Sequence, residues 1–283
     1  MGKADLHTHT NASDGDLSPE ELLRKAQSKK LKTLAITDHD TIKGYLKAKE
    51  MAPDYGIELI SGVEITALWN SKEVHLLAYN FNDEHQPFRN LLLKQKSARK
   101  LRMQAIVDVL NAQGLDIEYD EILAEANMGN VGRPHAASIL IKRGYVSGVA
   151  EAFIRYLSSE KLQGVKTNYA SIEEVIRTTK DASGVISLAH PGRLYSDGEV
   201  RVLIDEGLDG LECIHPSHNF STQRKFTALA KSSNLLITGG SDYHGTGKSE
   251  YDPYFGIVTL GNQYIEAIKR TSENRKRIIN VYN

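Results

Sequence analysis

The feature that most restricts how this chain can fold is a recurring pattern. Short unbroken apolar runs, separated by stretches of helical spacing, each close in or carry a histidine or a carboxylate. Thr33-Leu34-Ala35-Ile36 closes in Thr37-Asp38-His39-Asp40, and Ile57-Glu58-Leu59-Ile60 runs into Ser61-Gly62-Val63-Glu64-Ile65. Glu73 to Asn80 carries His75. Val185 to Ala189 closes in His190-Pro191-Gly192. Leu208 to Ile214 carries Glu212 and closes in His215-Pro216, and Leu235 to Gly240 leads into Ser241-Asp242-Tyr243-His244. Phe255 to Leu260 predicts a late strand. Continuous Ile, Leu and Val runs broken by helical patterns are the signature of a parallel sheet buried on both faces. Repeated strand–helix units point to a barrel, whose catalytic groups gather at the C-terminal strand ends. Seven of the ten histidines fall at or near such an end, where chance would scatter them through helices and loops.

The opening stretch, Ala4 to Gly15, supplies His7 and His9 on a predicted strand. Side chains two apart on a strand share a face, so both imidazoles can reach one metal ion. Ser18-Pro19-Glu20-Glu21 is a helix start with a Ser cap, Pro at the first turn and Glu reaching back. Thr41 to Ala52 reads as the next helix. From about Glu84 the strand signal stops: residues 88–113 form a long charged amphipathic helix, followed by helical segments at 122–126, 135–142 and 151–157. The alternation resumes at the capping box Ser171-Ile172-Glu173-Glu174 and continues with helices at 200–206 and 220–232 and a charged tail helix over 263–283. The expected organisation is a barrel in two parts, 1–85 and 166–283, interrupted by a helical insertion over 86–165 that caps the substrate.

The chain of 283 residues is long enough for one large domain with an insertion. Its net charge of −1 gives no basic footprint for non-specific nucleic-acid binding, although a local basic groove is compatible with it. The single cysteine, Cys213, excludes an internal disulfide, suits a reducing compartment and reads as a core residue. No apolar run reaches the length of a membrane span. The start leaves no room for a signal peptide, and Leu6 stands where myristoylation needs Ser or Thr. A cytoplasmic protein is expected, and nothing in the sequence sets its oligomeric state. Imidazoles mixed with carboxylates, without cysteine, suit Zn, Mn or Fe. More than four candidate ligands allow two or three divalent ions, and a carboxylate such as Glu64 can bridge two ions about 3.5–4 Å apart.

Asp5-Leu6-His7-Thr8-His9, Thr37-Asp38-His39-Asp40, Gly62-Val63-Glu64, Ala189-His190-Pro191 and Ser241-Asp242-Tyr243-His244 stand in one order along nearly the whole chain. Together they resemble the PHP (polymerase and histidinol phosphatase) metal-dependent phosphoesterases, and most closely the TrpH-like nucleotide and RNA phosphoesterases with a helical insertion. The resemblance implies an α/β fold, a distorted (β/α)7 TIM-like barrel, with a trinuclear site. It implies one ion on His7, His9, Glu64 and Asp242, a second sharing Glu64 with His75 and His190, and a third on Asp14, His39 and His244. Asp14 stands where some members have histidine, as in the nucleotide-acting subgroup. Of Asp38 and Asp40, one is expected to orient a ligand and the other to cap the next helix. The subgroup binds substrate phosphate with the segment matching Val131-Gly132-Arg133-Pro134-His135, which makes Arg133 and His135 candidates, with Arg133 also stabilising developing charge. Ser97, Arg99 and Arg102 on the long helix are candidates for facing the nucleotide. His215 is a candidate for protonating the leaving oxygen or touching phosphate, while His85 and His218 are expected at the surface. The implied activity is hydrolysis of a nucleoside 3′,5′-bisphosphate or of short RNA from its 5′ end. Histidinol-phosphate hydrolysis and a non-catalytic nucleic-acid-binding module are the alternatives.

Overall fold

The structure is a computed structural model that describes residues 2–126, 129–246 and 250–282. The chain begins β1 (Lys3–Asp5), α1 (Pro19–Ser28), β2 (Leu31–Ile36), α2 (Lys43–Met51), β3 (Glu58–Trp69) and β4 (Lys72–Tyr79). A helical stretch follows: α3 (Gln86–Ala112), α4 (Tyr119–Glu125), α5 (Arg133–Lys142) and α6 (Val149–Ala152), the last running into one π-turn over Phe153–Leu157. Alternation then returns with α7 (Ile172–Asp181), β5 (Val185–Leu188), α8 (Asp197–Asp205), β6 (Gly210–Ile214), α9 (Phe220–Ser232) and β7 (Leu236–Gly239). It ends with β8 (Leu260–Gly261) and α10 (Asn262–Tyr282). The expected last residue of that helix, Asn283, lies outside the described residues.

The strands form one sheet in the order β7-β6-β5-β4-β3-β2-β1-β8. The sheet closes because the chain beyond β1 pairs with the chain beyond β7. Leu6 N–H donates to Gly239 O (3.2 Å), Asp242 N–H to His7 O (2.9 Å) and His9 N–H to Tyr243 O (2.8 Å). Gly240 permits this closure: a Cβ there would lie 2.3 Å from His7 N. Buried Asp5 fastens the same seam, accepting from the backbone N–H groups of His7 (3.3 Å) and Ser241 (2.9 Å). Burial pushes its carboxyl up to about 7. The result is a distorted seven-stranded α/β barrel with β8 added antiparallel to β1 at the opposite end from the seam.

The all-parallel reading fails at β4. It is antiparallel to both β3 and β5. Asn70 and Ser71, at φ +48° and +65°, make a two-residue hairpin turn, the geometry whose twist matches paired strands. β3 therefore runs on to Trp69, and His75 reaches the rim from the start of its strand rather than its end. The late strand shrinks from 255–260 to Leu260–Gly261 because Gly256 turns the chain at φ +74°. Phe255 is instead buried against Tyr243, ring centroids 4.7 Å apart.

Apolar side chains collect in separate cores. One lies between the barrel strands and their outer helices and takes in Phe88, Leu91 and Leu92 from the first part of α3. Another is formed by the rest of α3 with α4 to α6, through Ile106, Leu110, Ile122, Leu140 and Leu157. α3 thus belongs to both layers. Gln95 on that helix ties them together, donating to Thr66 O and accepting from Ala170 N–H. Cys213 is buried in the barrel core, where burial pushes its thiol up to about 12. Among the described residues no helix is long and apolar enough to cross a membrane.

Candidate metal centre

Nine side chains from six segments converge at the rim, around Glu64. Its Oε2 lies 3.3 Å from His7 Nε2, 3.4 Å from His9 Nε2 and 3.3 Å from His39 Nδ1. Its Oε1 lies 2.9 Å from His75 Nδ1 and 3.1 Å from His190 Nε2. Asp242 Oδ1 stands 3.2 Å from His7 Nε2 and 3.3 Å from His9 Nε2. On the outer side, Asp14 lies 3.7 Å from both His9 Nδ1 and His39 Nε2, and 3.5 Å from His244 Nε2. Ligand atoms of His9, Asp14, His39 and His244 fall within 4.8 Å of one another, as do those of His7, His9 and Glu64 and of His39, Glu64 and His75.

Several of these atoms have no hydrogen bond. Both ring nitrogens of His9, Nδ1 of His39 and Oδ1 of Asp14 are buried without a hydrogen-bond partner. A buried polar atom left unsatisfied costs about 1–3 kcal/mol, so four together call for a missing partner. Imidazole nitrogens and carboxylate oxygens crowded at one point are the donor set of a divalent cation site. The residues present therefore fit bound metal.

The electrostatics agree. Burial opposes ionisation of Glu64, Asp14 and Asp242, yet the surrounding imidazoles hold all three well below the usual carboxylate range. Burial likewise opposes charge on His7, but Glu212, Asp242 and Glu64 overcome it and raise its pKa. His244 is driven up to about 10 by Asp14 and Asp242 against the same opposition from burial. The site is an anionic basket that collects positive charge. Its backbone is also set apart: His190, Asp242 and Asp40 adopt positive φ of +27°, +52° and +53°. Such conformations cost of order 1–3 kcal/mol each and persist where the surroundings over-determine them.

The description "PHP domain" matches residues 5–189. The chain belongs to the PHP domain family. A 5′-3′ exoribonuclease of Haemophilus influenzae is 39% identical over 247 residues, covering 86% of this chain and 90% of that one. A 3′,5′-nucleoside bisphosphate phosphatase of Chromobacterium violaceum is 30% identical over 259 residues, 89% of this chain and 90% of its own. Among solved structures, a protein of Bifidobacterium adolescentis provisionally named a metal-dependent phosphoesterase superposes with a TM-score of 0.84 at 32% identity. That match covers 95% of this chain and 96% of the other. The chain is accordingly a hydrolytic phosphoesterase of the PHP family.

Beside the outer ligands of this PHP centre lies a cavity of about 150 Å³ lined by Asp14, His39, His75 and His244 together with Glu73, Arg99, Arg102 and Arg133. Arg99 gives Nε and Nη2 to Asp40 Oδ2 at 2.8 and 2.6 Å and also reaches Thr66 Oγ1. Arg102 is paired with Glu73. Arg133 has no carboxylate partner among the described residues: it reaches Leu157 O (3.3 Å) and Ser159 Oγ (3.4 Å) and lies over the Phe153 ring. Burial, then Arg102, lowers its pKa.

The other expected residues separate. Ser97 is exposed, its hydroxyl donating to Leu93 O, because residues two apart on a helix face opposite sides. It is not brought to the cavity that Arg99 and Arg102 line. His135 is buried and accepts the Gly132 N–H (3.0 Å), fixing the turn that delivers Arg133, and does not line the cavity. His215 joins the cluster from behind: Ser217 N–H donates to its Nδ1, which leaves Nε2–H to face Asp242 Oδ2 at 3.4 Å. His85 is half-buried at the start of α3, but His218 is not a surface residue. It is 3% exposed and links Cys213 O to Gly192 N–H, pinning the turn that carries His190. Asp40 does not cap α2, whose first turn follows Ile42, but receives Thr66 N–H and Arg99. Asp38 does not touch His39; it gathers Thr10 and Ser13 and so shapes the loop bearing Asp14.

The sequence marks Glu212 on its strand but not what it does. Glu212 is fully buried, accepts from His7 Nδ1 (2.9 Å) and from His190 N–H (2.7 Å), and so turns His7 Nε2 toward Glu64 and Asp242. Its place on an inward-facing strand position beside His215 is the signal for it. Asn130, which no sequence pattern marks, donates its side-chain N–H to His39 O (2.8 Å).

Proposed function

We propose that this phosphoesterase hydrolyses phosphate esters of nucleotides, either a nucleoside 3′,5′-bisphosphate or the 5′ end of a short RNA. The observation that carries the reading is one cavity lined by both metal-type ligands and three arginines. A phosphate fits between them, because Arg133 alone of the three lacks a carboxylate and an arginine fork matches phosphate oxygens. The names of the Haemophilus and Chromobacterium relatives support a nucleotide or RNA substrate.

In this reading two or three divalent ions, Mn, Zn or Fe, are held. His7, His9, Glu64 and Asp242 take one. Glu64 with His75 and His190 takes a second, and Asp14, His39 and His244 take a third. The division of the Glu64 oxygens between the two histidine groups supports the sharing. Ions so held supply Lewis acidity to phosphoryl oxygens and a water nucleophile near neutral pH. Arg133 orients the phosphate and offsets charge that grows on it, while Arg99 and Arg102, engaged by Asp40 and Glu73, hold the shape of the cavity. His215, with both nitrogens engaged, holds Asp242 rather than reaching substrate. Residues 86–165 act as the substrate cap, and residues 1–85 and 166–283 as the barrel.

The test is turnover of adenosine 3′,5′-bisphosphate, short 5′-phosphorylated RNA and histidinol phosphate side by side with added Mn²⁺. One of the first two is expected to exceed histidinol phosphate by at least about tenfold in kcat/KM. Preference for histidinol phosphate overturns the reading.

A further inference from the structure

The ligands divide by how they are held. His7, His9, Glu64 and His75 stand on strands or their direct continuations. Asp14 and His39 stand on the loops after β1 and β2, His39 being held as well by a parallel bridge to Glu64. What fixes those loops comes partly from the helical layer. Asn130, 3% exposed, donates its side-chain N–H to His39 O at 2.8 Å and its backbone N–H to Ala12 O at 2.9 Å. The preceding Gly129 sits so close that a Cβ would lie 2.9 Å from the carbonyls of Asn11 and Ser13. One residue of the insertion thus bridges the peptide of His39 and the loop that bears Asp14. Those two ligands carry unpartnered atoms, His39 Nδ1 and Asp14 Oδ1.

We propose that Asn130 is a positioning residue for the outer cation, the one on Asp14, His39 and His244, so that the helical insertion completes a metal site as well as covering it. The proposal rests on the three-ion assignment above but not on the substrate. Both hydrogen bonds act on backbone groups, so Asn130 touches no ligand atom and works only through loop geometry. Supporting residues of this kind change metal affinity by about 10–100-fold when removed.

The test is calorimetric titration of metal-free protein with Mn²⁺, comparing wild type, Asn130→Ala and Asn111→Ala. Asn111 ties Ile117 within the helical layer (3.0 Å) and touches neither loop, so it reports general loosening of that layer. In Asn130→Ala the weakest of three Mn²⁺ classes is expected to lose roughly tenfold or more. The two tighter classes should be affected less, because Asn130 bonds only the peptide of His39 and the loop before Asp14. Asn111→Ala should leave all three in place. An equal weakening of every class in Asn130→Ala, an unchanged third class, or wild type that binds no third ion overturns the proposal. If wild type binds three ions but turns over no nucleotide, the substrate reading fails and the role of Asn130 stands.

Discussion

The inner and outer sides of the metal centre are built from the same residue types but held differently. On the inner side His7, Glu64 and Glu212 are at most 1% exposed, and His7 pairs with both carboxylates. On the outer side the His39 and His244 side chains are 12% and 15% exposed and line the arginine cavity, as does His75 at 23%. The inner side is fixed by the barrel itself. Besides the bridge of His39 to Glu64, the outer side depends on Asp38, Arg99 and Asn130, two of which come from the helical layer. The difference teaches that a rigid half fixes ions while an open half meets substrate, and that substitutions on the two sides should fail in different ways.

The largest effect is expected at the centre. Glu64→Ala removes a carboxylate that faces five imidazoles and leaves them buried together without it. Loss of at least about 4 kcal/mol of transition-state stabilisation, roughly a thousandfold in kcat/KM, is expected. Metal analysis should show at least two ions lost. Glu212→Gln comes next. It keeps the shape but weakens the charge that orients His7, and metal affinity on the inner side should fall about 10–100-fold with the outer class unaffected. Titration with Mn²⁺ checks it, and weakening of the outer class alone would break the inner–outer distinction.

Arg133→Ala tests the open side. It removes a hydrogen-bonding cation without touching the ions, so KM for a phosphorylated substrate should rise roughly tenfold to a hundredfold, from loss of about 1.5–3 kcal/mol. Mn²⁺ stoichiometry should stay as in wild type. Arg99→Ala is expected to act differently, because it leaves Asp40 buried and unpaired. Breaking a buried pair costs about 3–5 kcal/mol, so thermal stability should fall as well as activity.

Much of the inner side is legible in the sequence because strand periodicity fixes where a side chain points. His7, His9, Glu64, His190 and Asp242 are found from apolar runs and what closes them. Direction is not legible in the same way: the reversal of β4 turns on the two residues Asn70 and Ser71, and an apolar run reads alike forwards and backwards. Roles that depend on partners also escape. Arg99 and Arg102 line the cavity beside the ligands, but only the fold shows that Asp40 and Glu73 already engage them. Ser97 fails by helical phase, His218 because its turn folds back under Gly192, and Asn130 because a lone amide in a loop carries no pattern.

The smallest effect concerns protons on the outer side. In the metal-free protein burial disfavours charge on His244, but Asp14 and Asp242 outweigh it and raise its pKa from 6.5 to about 10. A group raised on folding contributes stability that is fully present below its unfolded value and is lost as pH rises through its folded one. Metal-free protein should therefore lose this contribution between pH 6.5 and about 10. A cation on the same imidazole must displace that proton, so outer-site affinity should rise with pH across the same window while protons are released. Calorimetry at pH 7.5 in two buffers of different protonation heat measures the release directly. A value near one proton for the weakest Mn²⁺ class in wild type, falling towards zero in His244→Asn, is expected. Equal release in both proteins would place the titrating group on the inner side and erase the contrast between the two halves.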